Sequence, residues 1–429
     1  MCTFDKIQSV RACDDDSDCT YNGKCEDDTC RCEDAFRGER CDVFRFVPRT
    51  YVNEGLRTLE DNGTYTSSWG GSVLLDDDGV YHMWASEMTF STGIKAWLTN
   101  SKIVHAVADD SQRPFVFRRT NVVHPVFAHE PTVSRDPTTG DYVMFYTSNY
   151  GEKPGSQCSD PCTCGHNGTS CLSCLNDQQC DAEPRSPLSS FMSFAKTPNG
   201  PWSTPELISA PTEGDTNLAC IINEDSSLIC MGRPGLGRMY SSDWRNVSSY
   251  VWQDTKGDPI VGEDPMIWRD ETHDDIIHLV THGGGWGDPY GFQYWSEDSG
   301  VTWYGTGNKA YDNNVYVKGQ DDPIILSRRE RPHVVLDAKN RVVGMTAGVT
   351  EAWPCTSLLF VCLFVIKTTS LTTTKTGTLQ EEPDRPPCKH PPKPGVNPNC
   401  GPGSNGTSIW CPVDASYTMF QAVLTNSFS

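Results

Sequence analysis

Residues 263–270 read Glu263-Asp264-Pro265-Met266-Ile267-Trp268-Arg269-Asp270, and a second apolar run, Ile276-Ile277-His278-Leu279-Val280-Thr281, follows a short polar turn. A polar start, an apolar-rich stretch, an Asp, a turn and a second run describe a β-hairpin. The shape recurs in Gly70-Gly71-Ser72-Val73-Leu74-Leu75-Asp76, Glu130-Pro131-Thr132-Val133-Ser134-Arg135-Asp136 and Arg331-Pro332-His333-Val334-Val335-Leu336-Asp337. Their second runs start at Val80, Tyr142 and Arg341. A weaker fifth copy joins Asn217-Leu218-Ala219-Cys220-Ile221-Ile222 to Ser227-Leu228-Ile229-Cys230-Met231-Gly232. One unit repeated along a chain marks a repeat architecture. Five units of four strands predict an all-β fold, a five-bladed β-propeller.

The later strands of a unit recur as well. Ser193-Phe-Ala-Lys-Thr-Pro-Asn-Gly-Pro-Trp202 and Ser296-Glu-Asp298-Ser-Gly300-Val-Thr-Trp303 each read as a strand, a Gly turn and a Trp. The second fits the Asp-box pattern S-x-D-x-G-x-T-W, a structural hairpin lock. The final run from Tyr417 to Leu424 reads as the strand that completes the fifth blade.

Composition excludes several classes. The 429 residues carry a formal net charge of −21, which leaves no basic patch for nucleic acid. The longest apolar run, 358–366, is nine residues, and a membrane span needs roughly 20. Twenty cysteines do not suit a reducing compartment. Sequons at Asn62, Asn167, Asn246 and Asn405 fit a secreted glycoprotein. Met1-Cys2 leads straight into polar sequence, so the chain reads as a mature form or an excised region.

Residues 1–43 are expected to form a separate small module and residues 44–429 the propeller. Cysteines at 13, 19, 25, 30, 32 and 41 enclose a segment too small to bury a core, so disulfides must hold it. Spacing alone leaves fifteen connectivities for six cysteines. The spacing resembles an EGF-like module, with its C-x-C and Phe36-Arg37-Gly38 before the last cysteine. That resemblance implies the pairs Cys13–Cys25, Cys19–Cys30 and Cys32–Cys41. Calcium-binding versions carry acidic residues before the first cysteine. Ser9-Val10-Arg11-Ala12 stands there instead, so no calcium is predicted. The module reads either as a spacer or adhesion unit with a protein partner, or as a stabilising cap.

Other cysteines fall in the propeller region. An insertion at 151–186 holds six, at 158, 162, 164, 171, 174 and 180. Three disulfides are expected there, with a four-thiolate zinc site at Cys162, Cys164, Cys171 and Cys174 as the lesser reading. Cys220 and Cys230 flank a turn and are expected to bridge neighbouring strands. The fourteen cysteines outside the module are an even number, and Cys2 is expected to tie the module to the propeller. Residues 380–403 hold eight prolines and read as a surface loop, while the Thr-rich 355–379 suggests no function.

Equivalent strand starts in a propeller converge near its axis. In order they are Gly70, Glu130, Asn217, Asp264 and Arg331, with neighbours Trp69, His129, Glu263, Glu330 and His333. Carboxylates, histidines, an arginine and a tryptophan suit a polyol. Acids accept hydroxyl hydrogen bonds, Trp stacks on a sugar face, and paired acids can cleave a glycosidic bond. The expected catalytic set is Glu130, Asp264, Glu263 and Glu330. The expected substrate-binding set is Trp69, His129, Asn217, His282, Trp286, Arg331 and His333. Glu130, beside His129, is expected as the general acid with a raised pKa, and Asp264 as the base. No cofactor is expected. Calcium or zinc at the axis fits the residue types but is not predicted.

The repeat region, roughly 65–350 plus the last strand, resembles the five-bladed glycoside hydrolases of the arabinanase, xylosidase, invertase and levansucrase group. The resemblance rests on 263–270, on Asp136-Pro137-Thr-Thr-Gly140-Asp-Tyr142 and on Pro198-Asn-Gly200-Pro201-Trp202. It implies a secreted glycosidase acting on a poly- or oligosaccharide through three carboxylates. Gly70 stands where that group has its first Asp. A propeller that binds glycans for adhesion without cleaving them is the alternative. A sialidase reading is disfavoured by one Asp box and five repeats.

Overall fold

The structure, a computed structural model, describes residues 13–49, 54–56, 67–89, 94, 97–108, 116–149, 188–209, 217–233, 235–269, 272–273, 276–283, 289–351 and 416–424. The insertion 151–186, the segments 355–379 and 380–403, and Cys2, Asn62, Asn167, Trp286 and Asn405 all lie outside the described residues.

Four antiparallel strands form each blade. Blade one is Ser67–Leu75, Tyr81–Met88, Ser101–Ala108 and Val116–His124. Blade two is Ala128–Arg135, Tyr142–Ser148, Ser189–Ala195 and Glu206–Ser209, and blade three is Ala219–Ile222, Leu228–Gly232, Gly237–Ser241 and Val251–Gln253. Blade four is Glu263–Arg269, Ile277–His282, Gly291–Ser296 and Thr302–Tyr311. Blade five is Ile324–Leu336, Val342–Glu351, Tyr417–Ala422 and Gly55–Leu56. Each innermost strand contacts that of the next blade, and the fifth contacts the first, so the ring is closed. The protein is an all-β, five-bladed propeller with a small disulfide-rich N-terminal module.

Closure differs from the sequence expectation in one respect. Tyr417–Ala422 is the third strand of blade five, and Gly55–Leu56 is the fourth. The amides of Val47 and Phe420 donate to Ala422 and Glu54, and that of Leu424 donates to Arg45. Segments 45–56 and 417–424 therefore close the ring by mutual backbone pairing, which supplies partners for strand groups otherwise left open.

Apolar clusters fill the spaces between blades. Trp84 and Ile103 meet Val133 and Tyr142 between blades one and two, and Val143 and Phe145 meet Leu228 and Met239 between two and three. Ile229 and Met231 pack on Ile267 and Leu279 between three and four. Val73 and Met83 pack on Val335 and Phe420 between one and five. This explains why inner strands are apolar on both faces: each face belongs to a different interface.

The Asp that ends each inner run has a local task. Asp76, Asp136 and Asp337 each accept turn amides with Oδ1, from Asp78 and Val80, Thr138 and Thr139, and Lys339 and Arg341, at 2.8–3.3 Å. The side chain thus stands in for a backbone acceptor in the turn. The Asp box works in the same way. Asp298 Oδ1 accepts the Thr302 amide at 2.7 Å, and buried Trp303 donates to Gly300 O at 3.0 Å.

The module's disulfides pair as the resemblance implied: Cys13–Cys25, Cys19–Cys30 and Cys32–Cys41. Phe36 and Phe44 join the cluster between blades four and five, with Trp268, Tyr311, Val334 and Met345. Tyr21 donates to Glu297, Asn308 donates to Asp42, and Asp16 faces His273 at 3.5 Å. Shared core on this scale favours the stabilising cap over a free spacer. Cys220 and Cys230 are bonded, at directly opposite positions of one hairpin.

Buried histidines give the fold a pH dependence. Burial holds His105 and His124 down to about 4, and burial with Arg331 holds His333 to about 3, against an ordinary value of 6.5. A folded value below the unfolded one means the unfolded chain takes up protons first, so this stability is present above pH 6.5 and is lost on acidification toward 4. Each group contributes up to ~1.4 kcal/mol per pH unit in that window. The melting temperature is expected to fall by a few degrees or more between pH 7 and pH 5. A flat or rising melting curve would contradict it.

Candidate active site

The five strand starts share an unusual backbone. Gly70, Glu130, Asn217, Asp264 and Arg331 all have left-handed φ, at 63°, 55°, 44°, 53° and 55°. In blades one, two, four and five the pairing register shifts at this point, between Trp69 and Ser72, His129 and Thr132, Glu263 and Met266, and Glu330 and His333. A bulge of this kind re-aims one side chain out of the alternating pattern. Left-handed backbone costs a residue with a Cβ roughly 1–2 kcal/mol, so four such sites in register are held by the surrounding fold.

The re-aimed side chains meet. One nitrogen of Arg331, NH1, lies 3.4 Å from Glu130 Oε2 and 3.5 Å from Asp264 Oδ1, which bounds the two oxygens at about 7 Å apart. Arg331 also donates through NH2 to the Glu130 carbonyl at 3.1 Å and through its own amide to Asp264 Oδ2 at 3.3 Å. Asn217 donates to Asp264 Oδ1 at 2.5 Å. Gly70 explains how Arg331 fits: a Cβ built there would lie 3.4 Å from the Arg331 Cβ and run along its stem. Glycine leaves the axial space to the Arg331 side chain.

A second layer surrounds this centre. His129 Nε2 lies 3.3 Å from Glu130 Oε1. His282 Nδ1 lies 3.4 Å from Glu263 Oε1 and 3.6 Å from Asp264 Oδ2, and Arg233 pairs with Glu263. Glu330 is buried and close enough to His282 to help raise its pKa, together with Glu263 and Asp264, against the opposing effect of burial.

The two central carboxyls are driven apart. Burial alone would raise Glu130, but Arg331 and His129 outweigh it and hold it at about 2. Asp264 is raised, by burial first and then by the charges of Glu130 and Glu263, against Arg331 and His282. These directions run opposite to the sequence expectation, which raised the pKa of Glu130 as general acid and took Asp264 as the base. The reason is Arg331, which donates to both but is joined at Glu130 by His129.

Other expected residues fall differently. Trp69 is 2% exposed and packs with Met88, Ile94 and Trp97, so it is a core residue and not a stacking platform. His333 is likewise buried and uncharged, on the same strand as Arg331. Asn246 is exposed, as a glycosylation site requires. Arg233 was not expected. Second strands end where inner strands begin, so extending the repeat alignment past Gly232 would have found it beside His282.

Glu263, Asp264 and His282 have ligand atoms within 4.8 Å of one another, a spacing that fits a cation. Arg233 pairs with Glu263 and Arg331 with Asp264 at the same place.

No family model matches the chain, and no curated protein does. Among solved structures it is similar to a family 62 α-L-arabinofuranosidase of Coprinopsis cinerea, at 11% identity and TM-score 0.46, over 89% of this chain and 97% of that one. It is similar to the α-L-arabinofuranosidase of Podospora anserina at 11% identity and TM-score 0.44, over 90% and 96%. It is also similar to a family 117 glycoside hydrolase of the marine bacterium Zobellia galactanivorans at 13% identity and TM-score 0.43, over 75% and 87%.

Proposed function

We propose that the protein is a secreted glycoside hydrolase acting on an extracellular poly- or oligosaccharide. The observation that carries this reading is the Arg331 clamp. Two buried carboxyl groups from blades two and four lie within reach of one guanidinium nitrogen, with their pKa values shifted in opposite directions. Pairs of titratable groups pushed apart by their surroundings are what acid–base cleavage needs. Asp264 gives its proton to the glycosidic oxygen as the bond to the anomeric carbon breaks. Glu130 takes a proton from the attacking water, and the products are an alcohol and a hemiacetal. Glu263 holds His282, and Asn217 orients Asp264. Four disulfides and an exposed sequon at Asn246 support export.

A second reading, glycan binding without cleavage, draws on one observation. Asn217 and Arg331 together occupy Asp264, and Gly70 removes the first acid of the resembling enzymes. The test is the wild-type protein, secreted from an oxidising host, on a broad panel of glycans. Sugar release, with the anomer of the first product read by NMR, supports the hydrolase. Calorimetric binding without release supports the second reading and overturns the first.

A further inference from the structure

Ser101 opens the third strand of blade one, directly after the short helix Trp97–Asn100. Its Oγ lies 2.6 Å from Nδ1 of His129, on the inner strand of blade two. The other ring nitrogen of His129 faces Glu130 Oε1 at 3.3 Å. Ser101 is 0% exposed and His129 2%. Trp97 stacks on the imidazole with centroids 4.7 Å apart, and Phe127 lies parallel at 6.5 Å. The ring therefore has one face covered by Trp97 and both nitrogens engaged.

We propose that Ser101 is a positioning residue that fixes the tautomer of His129 and, through it, the orientation of the Glu130 carboxylate. The inference rests on Glu130 acting as the base. A carboxylate only accepts, so the nitrogen facing it must carry the hydrogen. In a neutral imidazole the other nitrogen is then an acceptor, and the Ser101 hydroxyl is placed to donate to it. Without that donor a buried Nδ1 has no partner, and the tautomer with the hydrogen on Nδ1 gains ground. That tautomer turns a lone pair toward Glu130. The backbone of Glu130 is tied as well, its amide donating to Ser86 Oγ at 2.8 Å. Arg331, Arg233, Asp264 and Glu263 act on the same carboxyl from blades three, four and five, with Arg331 at Oε2 and His129 at Oε1. Ser101 is fully buried, so its hydroxyl acts on His129 and does not reach a substrate.

The test is the ¹⁵N tautomer state of His129 in the full chain, read beside the kinetics of Ser101→Ala and Ser101→Thr. In the wild type, the nitrogen facing Glu130, Nε2, is expected to carry the hydrogen, with Nδ1 accepting from Ser101. Ser101→Ala is expected to lose that single state and to lower kcat by about 10–100-fold with KM kept, as for other groups that orient a reacting residue from behind. Ser101→Thr, which keeps the hydroxyl, is expected to restore both. A wild-type His129 with its hydrogen on Nδ1, or doubly protonated, overturns the proposal. So does an unchanged tautomer in a folded Ser101→Ala. The expected tautomer in a wild type that releases no sugar supports the Ser101–His129 link and overturns the hydrolase reading instead.

Discussion

Asp264→Asn is expected to lower release from natural oligosaccharides by about 10²–10⁴-fold while sparing aryl glycosides with good leaving groups. The asymmetry follows from the role. A sugar alkoxide is a poor leaving group and needs the Asp264 proton, whereas a nitrophenolate departs without one. Glu130→Gln is expected to lose both substrate classes, because water must be deprotonated whichever group leaves. Asp264 is proposed as the proton donor because burial and the neighbouring charges of Glu130 and Glu263 raise its pKa, and Asn217 holds one of its oxygens. The measurement is kcat/KM for both variants on a matched pair of substrates. Equal losses on both by Asp264→Asn, or a leaving-group dependence in Glu130→Gln instead, would reverse the assignment.

Arg331→Ala is expected to destabilise the fold by about 3–5 kcal/mol at neutral pH. Arg331 is 3% exposed and holds Glu130 and Asp264 at once, so its removal leaves two buried acids without their cation. The pH dependence gives a second check. Glu130 is held at about 2 by Arg331 and His129, so the stability it adds is present above its ordinary range near 4.5 and is lost as pH falls toward 2. The deficit of the variant should therefore shrink on acidification below pH 4.5. Arg331→Lys keeps the charge but not the fork and should lie between wild type and Arg331→Ala. Urea unfolding at pH 7 and pH 4 measures both effects. A loss under about 1 kcal/mol, with no pH dependence, would mean the clamp is incidental.

The repeat register was legible because four inner strands carry the same signals, an apolar body and an Asp that closes the turn, and the blade-three copy keeps the apolar body with Asn223 in place of the Asp. Those signals placed Gly70, Glu130, Asn217, Asp264 and Arg331 at equivalent positions, and the shared left-handed backbone of the five is the structural form of that equivalence. The closing strand was legible only in part. Gly55–Leu56 is two residues long, so nothing in its pattern marks it as the outer edge of blade five. The opposite pKa shifts of Glu130 and Asp264 were not legible either. They depend on which acid has a histidine behind it and which has a second carboxyl, and side-chain direction at a bulge is not written in residue spacing. Trp69 misled because a tryptophan next to an axial position reads as a sugar platform, while the bulge turns position 70 inward and leaves 69 against Met88.

The most direct measurement is sugar release by the wild type and by a folded Glu130→Gln/Asp264→Asn variant on the same glycan panel. The predicted result is release by the wild type and none by the variant, with melting curves showing both folded. Release by both would keep a hydrolase but remove its chemistry from the Arg331 clamp, and release by neither would leave the axial carboxyls without a catalytic role.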